Sequence, residues 1–440
     1  MKKERNIINE VAKRQYRVPS RFWYGIYYLV GRTPLLGGKY HPKYEIVDKL
    51  PKEGPAFVIW NHQSRRDHTF ICRAAWPRRV NIVCEYNEFF RGHLHWVLKM
   101  NQILPKKPFC NGDIAGVKAM TSIIKQGGIV AFSPEGNSSN FGNNQPIVPG
   151  TGKFLKHFGI PVYCCDIRGS YLTNNKISEE DRIGKVSIKQ YLLFSPEDLK
   201  NLTPEEIDDK INLTFKMDDY DYNKTARVRF KPNKKGGMAT NLHDMCYKCP
   251  KCGKEFSMIA EKNDIKCTSC GNGASLDEYY DFHPYDETCV IPESPFKWVE
   301  QERQEIINEI RKNKDYSFAF KVKTGGLPVD RYLKGHDTSI PTGEGTVTID
   351  HAGFHFRGHK LDGSEHLFDL DWKNLYTFNI PTDLTYFSIY VKEEYVEFNP
   401  LERVVVKALL LTEEMHRLHV NQWKNFPWYD YMYEGDKNKE

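Results

Sequence analysis

Two residues suited to acid–base chemistry, His62 and Asp67, follow a short apolar run at 56–60. The run is predicted to be a buried strand, and the carboxyl ends of strands are where open α/β sheets place reactive groups. A neutral imidazole can accept a proton from an alcohol, while a carboxylate fixes its tautomer and stabilises the imidazolium. An ideal helix would turn these two side chains roughly 140° apart, so a contact between them requires a loop or a distorted turn. Alternatively, His62 caps a helix and Asp67 pairs with Arg65 or Arg66.

A second apolar run, at 128–132, leads directly into Ser133, Pro134, Glu135 and Gly136. We expect a tight turn whose backbone N–H groups can hold a phosphate or an oxyanion. An ordinary turn at the end of a strand would explain the same residues. The turn therefore gains a functional meaning only in combination with the histidine stretch.

Three short motifs occur in a fixed order along the chain. They are Asn-His-x-x-x-x-Asp at 61–67, Phe-Ser-Pro-Glu-Gly at 132–136 and Gly-Ile-Pro-Val at 159–162. Together they resemble the glycerolipid acyltransferases, that is, the 1-acyl-glycerol-3-phosphate acyltransferase family and its relatives. The resemblance covers about residues 19–213.

The resemblance implies a role for each matching residue. His62 would be the general base and Asp67 would orient it, while the hydroxyl of the acyl acceptor attacks the thioester of acyl-CoA or acyl-carrier protein. Asn61, Glu135 and Gly136 would belong to the substrate-binding site. The implied process is phospholipid synthesis, with a lysophospholipid as the acceptor.

The sequence departs from the family pattern at two places that concern the acceptor. The family usually continues Pro-Glu-Gly with Thr-Arg, where this chain has Asn137 and Ser138. The family also carries an arginine between the two main motifs, where this chain has Lys106 and Lys107, and lysine offers a point charge rather than a planar fork. Arg168 is a further candidate cation for substrate binding. We therefore predict the reaction type and take 1-acyl-glycerol-3-phosphate as the first acceptor, with another lysolipid or a glycerol-like alcohol as alternatives.

Two Cys-x-x-Cys pairs, Cys249 with Cys252 and Cys267 with Cys270, resemble a zinc ribbon. Pairs at this separation favour a structural Zn²⁺ held by four thiolates, which leaves no open position for water. Cys246 lies close enough in sequence to replace one ligand. Zinc ribbons also bind nucleic acid or protein, but the ribbon has few aromatic residues for base stacking. We therefore expect a spacer or docking module and no nucleic-acid partner.

The composition indicates where such a protein would act. The formal net charge of +6 over 440 residues is mild and is compatible with an anionic membrane surface. The N-terminus lacks the apolar core of a signal peptide, and no apolar run is long enough to span a bilayer. The aromatic segment at 22–30 is typical of an interfacial helix, although it could instead pack on the catalytic domain. We predict a cytoplasmic protein, with reduced thiols, held peripherally at the inner face of the membrane.

The order of patterns predicts an α/β fold with two additions. An acyltransferase-type mixed sheet with flanking helices is followed by a small zinc ribbon and a β-barrel-like C-terminal domain, which resembles pleckstrin-homology or GRAM domains in pattern only. That last domain could hold a lipid headgroup or a partner, or only add stability. The predicted boundaries are 1–35 for a membrane-associating segment, 36–235 for the catalytic domain, 240–275 for the ribbon, 276–330 for a helical linker and 331–430 for the β-rich domain.

Three local assignments carry these boundaries. Residues 85–100 are predicted to be one amphipathic helix that borders an acyl groove or the core. Residues 224–235 are predicted to be a basic linker, which includes Lys234 and Lys235. Residues 404–411 are predicted to be a strand and 412–423 a final helix.

One alternative from a different functional class stays open. The absence of Thr-Arg after Gly136 is compatible with a catalytically inactive acyltransferase domain that serves only as a scaffold. The protein would then be a zinc-ribbon adaptor at membranes. The intact His62 and Asp67 pair favours the enzyme.

Overall fold

The structure, a computed structural model, describes residues 6–110, 112–178, 180–232 and 236–420. Three predictions lie partly outside the described residues. They concern residues 1–5, Lys234 and Lys235 of the basic linker, and the end of the C-terminal domain at 421–430, which includes the end of the final helix at 421–423.

Seven strands form the first sheet, in the spatial order β1-β7-β6-β2-β5-β3-β4. Neighbouring strands are parallel, except that β6 and β7 are antiparallel. This is the mixed sheet that the alternating pattern predicts. The strands are β1 (Lys43–Ile46), β2 (Ala56–Trp60), β3 (Val80–Glu85), β4 (Leu104–Lys106), β5 (Ile129–Phe132), β6 (Val162–Arg168) and β7 (Ser187–Phe194).

Strand β2 lies in the middle of this sheet, and every one of its residues is buried. Ala56, Val58 and Trp60 face one apolar core, while Phe57 and Ile59 face another. Burial on both faces is the reason for an uninterrupted apolar run in place of alternation. The helices described in this part of the chain are α1 (Ile7–Ala12), α2 (Arg21–Gly31), α3 (Asp67–Ala75), α4 (His95–Met100), α5 (Ile114–Lys125), α6 (Thr151–Phe158), α7 (Ser170–Thr173), α8 (Pro196–Asn201), α9 (Pro204–Phe215) and α10 (Asp219–Ala226), with 3₁₀ turns at Gly38–Tyr40 and Tyr86–Phe90.

The single helix predicted at 85–100 is wrong. Strand β3 runs to Glu85, a 3₁₀ turn follows, and α4 begins only at His95. The interruption comes from a distant segment, because Leu333 N donates to Phe90 O at 2.8 Å and Gly92 N donates to Leu333 O at 3.1 Å. Backbone groups used in this way cannot continue a helical ladder.

The cysteine-rich region forms a separate antiparallel sheet in the order β11-β10-β9-β8. Its cysteines lie at turns and strand ends, as in the predicted ribbon. The elements are α11 (Leu242–Met245), β8 (Met258–Glu261), β9 (Asp264–Cys267), β10 (Gly273–Leu276), β11 (Phe282–Pro284) and the long helix α12 (Pro295–Lys312).

The C-terminal sheet has six antiparallel strands in the order β15-β14-β13-β12-β17-β16, and it shares one apolar core with the ribbon. The β-rich prediction is confirmed, although β12 starts within the predicted linker. The strand predicted at 404–411 is wrong, because residues 405–411 belong to a helix. A buried apolar run of this length fits a helix as well as a strand. The elements are β12 (Ser317–Gly326), β13 (Ile340–Asp350), β14 (Phe354–Lys360), β15 (Glu365–Leu370), β16 (Phe387–Val391), β17 (Glu394–Pro400) and α13 (Val405–Val420).

Within the described residues, none of the helices combines the length and the apolar character that a membrane crossing requires.

Candidate active site

His62 follows the carboxyl end of β2, and Asp67 opens α3. His62 Nδ1 lies 2.9 Å from Asp67 Oδ2. The same oxygen accepts the backbone N–H groups of Gln63 at 2.7 Å and Ser64 at 3.0 Å, so the chain between the two residues wraps around the carboxylate. This loop brings together two side chains that a regular helix would separate.

The second carboxylate oxygen is held by two hydroxyl groups. Asp67 Oδ1 accepts Ser64 Oγ at 3.0 Å and Ser170 Oγ at 2.7 Å. Asp67 is fully buried, whereas the His62 side chain is 28% exposed. Sequence reasoning missed both serines. Ser64 could have been noticed from its place inside the motif, but Ser170 comes from α7, and no local signal marks it.

The alternative interpretation required Asp67 to pair with Arg65 or Arg66, but both arginines lie near Asp181 instead. Arg66 Nη2 lies 3.3 Å from Asp181 Oδ2, and Arg65 Nη2 lies 3.9 Å from Asp181 Oδ1. Lys39 also forms an ion pair with Asp181. The Asp67 carboxylate therefore interacts with His62 and not with these arginines.

Asn61 is fully buried beside the site and ties two strands together. Its Nδ2 donates to Ile167 O at 2.7 Å, and its Oδ1 accepts Ile167 N at 2.8 Å. Both hydrogen bonds go to the backbone of β6. In this position the amide fixes the end of β2, from which His62 projects.

Glu135 is 1% exposed and lies behind the histidine loop. Its carboxyl is close to the backbone amides of His62 and Gln145, but within the described residues no hydrogen bond of ordinary geometry reaches either oxygen. Burial raises the pKa of Glu135 well above its ordinary value. The adjoining loop is tied down directly, since Ser139 N donates to His62 O at 2.7 Å.

A groove of about 1780 Å³ opens over His62. Of the residues predicted for the site, His62, Lys106 and Gly136 line it. Its walls include apolar side chains of α4 and α5, such as Val97 and Val117. Residues of the segment 376–388, which leads from β15 into β16, also line it. The groove is therefore lined both by the region of the first sheet and by the C-terminal domain.

The candidate cations predicted from the sequence are already paired. Lys106 Nζ lies 3.1 Å from Asp113 Oδ2, and Lys107 Nζ lies 3.0 Å from Glu393 Oε2. Arg168 holds Asp166 on β6 with an Nε–Oδ1 distance of 2.8 Å. Lys107, Arg168, Asn61 and Glu135 are not among the residues that line the groove.

The four cysteines Cys249, Cys252, Cys267 and Cys270 come together at one end of the ribbon sheet. Their sulfur atoms all lie within 4.8 Å of one another. The Sγ atoms of Cys249 and Cys270 are 3.7 Å apart, and those of Cys252 and Cys267 are 3.8 Å apart. Cys246 lies in the apolar core, outside this group. The four thiols form a group that could bind a metal ion.

Comparison with known proteins gives a family match for part of the chain. Residues 41–168 match the family model described as Acyltransferase. The chain is also similar to the crystal structure of the 1-acyl-sn-glycerophosphate (LPA) acyltransferase, PlsC, from Thermotoga maritima, with 15% identity over 46% of this chain and 79% of that chain and a TM-score of 0.38. No curated protein matches the chain. The prediction from the three motifs is confirmed: residues 41–168 form an acyltransferase-family domain.

Proposed function

We propose that this protein transfers an acyl group from an acyl thioester, acyl-CoA or acyl-carrier protein, to the hydroxyl of a lysophospholipid. The preferred acceptor is 1-acyl-glycerol-3-phosphate, and the process is phospholipid synthesis. The observation that carries the proposal is the 2.9 Å contact between His62 Nδ1 and Asp67 Oδ2 at the base of an open groove. The family of residues 41–168 supports acyl transfer in general.

The mechanism follows from which nitrogen of His62 is occupied. The Nδ1–H donates to Asp67, so Nε2 is the nitrogen that takes the proton of the acceptor hydroxyl. The oxygen then attacks the thioester carbonyl, the C–S bond breaks, and the thiolate leaves with the proton returned by His62. Asp67 is a positioning residue, because it fixes the tautomer and stabilises the imidazolium without losing or gaining a proton.

The substitution His62→Ala tests this mechanism. General base catalysis contributes roughly 10²- to 10⁴-fold, so we expect the rate of thiol release from acyl-CoA in the presence of lysophosphatidate to fall by that factor. The melting temperature should change little, because the histidine is part-exposed. His157→Ala is the matched control, since His157 is an exposed histidine of the same domain.

Two outcomes would contradict the proposal. Full activity of the His62→Ala protein would show that His62 is not the general base. No thiol release by the unmodified protein, with any acyl-CoA, acyl-carrier protein, lysolipid or free alcohol, would favour the inactive zinc-ribbon adaptor.

We also propose that Cys249, Cys252, Cys267 and Cys270 hold one structural Zn²⁺. A Zn–S bond of about 2.3 Å in a tetrahedron implies sulfur–sulfur distances of about 3.8 Å. The measured 3.7 and 3.8 Å fit this value and are far too long for a disulfide bond. Four thiolates complete the coordination, so the metal would stabilise the ribbon and would take no part in acyl transfer.

Metal analysis of the purified protein tests this site. We expect one zinc per chain, and loss of zinc together with a lower melting temperature in Cys252→Ser. Cys289→Ser is the control, because Cys289 lies outside the group of four. A protein that contains no zinc and whose melting temperature is unaffected by a chelator would contradict the assignment.

The proposed location is the cytoplasmic face of a membrane, with peripheral attachment. The supporting observation is a set of exposed apolar side chains on and just after α2. Phe22 is 67% exposed, Leu29 60% and Leu35 79%. Apolar groups of this size at one surface are typical of membrane or protein contact.

A further inference from the structure

Two cations outside the recognised motifs, Arg65 and Lys176, line the groove that contains His62. Arg65 lies in the loop between His62 and Asp67, and half of its side chain is exposed. Its Nη2 is 3.9 Å from Asp181 Oδ1, beyond hydrogen-bond distance. Lys176 is 6% exposed and lies six residues after Ser170, which holds Asp67.

The chain between β15 and β16 of the C-terminal sheet contacts Lys176 and also lines the groove. Lys176 Nζ donates to Ile380 O at 2.7 Å, and the neighbouring Asn379 Nδ2 donates to Glu85 Oε1 at 2.8 Å. Asn379 is 7% exposed and lines the groove, yet its Oδ1 has no hydrogen-bond partner within the described residues. A buried acceptor of this kind is normally satisfied by a ligand or by water.

We propose that Arg65 and Lys176 bind the phosphate group of the acceptor lipid, and that Asn379 accepts a hydrogen bond from a hydroxyl of the same molecule. The C-terminal sheet would then complete the acceptor site of the acyltransferase domain. This inference rests on the proposed acyl transfer and names the side chains that select its acceptor.

The charges around Lys176 favour an anionic ligand. Burial lowers the pKa of Lys176 to about 8, against the opposing influence of Glu85, and the Arg65 charge lowers it further. Burial also raises the pKa of Glu85 to about 7, so this acid is only partly ionised near neutral pH. A buried ammonium ion without a full counter-charge is costly. A phosphate would offset that cost, and it would also use the planar donors of Arg65.

The position of the cations favours the acceptor over the acyl donor as the source of the phosphate. Arg65 lies three residues after His62 in the chain, and both side chains line the same groove. In 1-acyl-glycerol-3-phosphate the phosphate is attached to the carbon next to the one that carries the reacting hydroxyl. In acyl-CoA the whole pantetheine chain separates the phosphates from the thioester. This site would replace the cation that the family places after Pro-Glu-Gly, where this chain has Asn137 and Ser138.

The test compares Lys176→Met, Arg65→Gln and Asn379→Ala with the control Lys189→Met, whose lysine is half-exposed on β7 and pairs with Glu45. We expect the first two to raise the KM for lysophosphatidate roughly 10- to 100-fold, the size of a lost charge-assisted hydrogen bond. The KM for uncharged monoacylglycerol and the KM for acyl-CoA should stay unchanged. Asn379→Ala should raise the KM of both acceptors, and Lys189→Met should alter none.

Equal losses with lysophosphatidate and monoacylglycerol in Lys176→Met and Arg65→Gln would overturn the proposal. A rise confined to the KM for acyl-CoA would also overturn it and would assign the cations to the donor. Arg65→Gln does not depend on core packing, and Lys176→Arg keeps the charge if Lys176→Met fails to fold.

Calorimetric binding of a short-chain lysophosphatidate to the His62→Ala protein separates this proposal from the proposed activity. Weaker binding when Arg65→Gln is added supports the phosphate site even if no acyl transfer is found with the unmodified protein. Equal binding with and without Arg65→Gln contradicts the site, whatever the activity.

Discussion

At the scale of single residues, Asp67 organises the site. Besides His62, it accepts hydrogen bonds from two backbone N–H groups and two serine hydroxyl groups, and it is fully buried. Every donor around it requires an oxygen that accepts. The carboxylate is therefore fixed before any substrate binds, and it fixes the imidazole in turn.

Asp67→Asn is expected to lower kcat by up to about 10⁴-fold, the size seen when a catalytic histidine loses its orienting carboxylate, and by no more than His62→Ala does. The amide NH₂ would face donors and would favour the wrong tautomer of His62. The measurement is kcat for thiol release, with Asp315→Asn as an exposed control. A kcat equal to that of the unmodified protein would exclude the positioning role.

Glu135→Gln is expected to raise the free energy of unfolding, relative to the unmodified protein, by an amount that increases with pH. Burial raises the pKa of Glu135 in the folded state, so the folded protein keeps this proton more tightly than the unfolded chain does. The contribution to stability is present below the unfolded pKa and is lost as the pH rises towards the folded pKa. Glutamine does not titrate and avoids this loss. Denaturant unfolding at about pH 5 and about pH 8 measures the effect, and a difference in unfolding free energy that is the same at both would contradict it.

At the scale of elements, residues that follow β6 connect the candidate active site to the ribbon. Ser170 holds Asp67. Further along, Asn175 and Arg182 both donate to the hydroxyl of Tyr280, which itself donates to Leu172 O at 2.6 Å. The ribbon thus supports the segment that carries Ser170.

Tyr280→Phe is expected to lower the unfolding free energy by about 1–3 kcal/mol, because it leaves buried donors and an acceptor unpaired. The activity should fall as well if the segment positions Ser170. Tyr285→Phe is the matched control, since that hydroxyl donates to the exposed Asp264 and the residue is 45% exposed. Equal stability of the two variants would show that the Tyr280 hydroxyl does not support the segment.

At the scale of the whole molecule, helix α2 carries exposed apolar side chains and also contributes one residue to the groove. Tyr24 of this helix is buried, and Tyr28 stacks on Trp76 with ring centroids 4.4 Å apart. Tyr27 lines the groove itself. The helix therefore packs against α3 and the adjoining Trp76 and still exposes Phe22 and Leu29, so its geometry is compatible with both interpretations of this segment.

The double substitution of Phe22→Ser and Leu29→Ser is expected to weaken binding to anionic phospholipid vesicles at least about tenfold, since each buried apolar side chain contributes about 1.5–3 kcal/mol. Vesicle co-sedimentation measures the binding. Leu361→Ser is the control, because Leu361 is 74% exposed on the turn between β14 and β15. Unchanged sedimentation of the double variant would remove α2 as the membrane contact.

Sequence patterns failed where a local pattern fits two structures. The apolar run at 404–411 suits a strand or a buried helix, and in the structure residues 405–411 are buried in helix α13. The pattern at 85–100 is helical in period, but the contact of Phe90 and Gly92 with Leu333 interrupts it. Distant packing therefore overrode the local preference at 85–100, whereas at 404–411 the local pattern fitted both structures.

The sequence by itself determined the chemistry that depends on residue type and short spacing. It identified the histidine and its carboxylate, the strand that precedes them, and the four cysteines, because each set is close together in the chain. Only the tertiary structure decided that Ser170 reaches Asp67 across 103 positions and that Lys176 meets Ile380 across 204. Contacts at such separations are set by how strands and helices pack, and no local pattern encodes them.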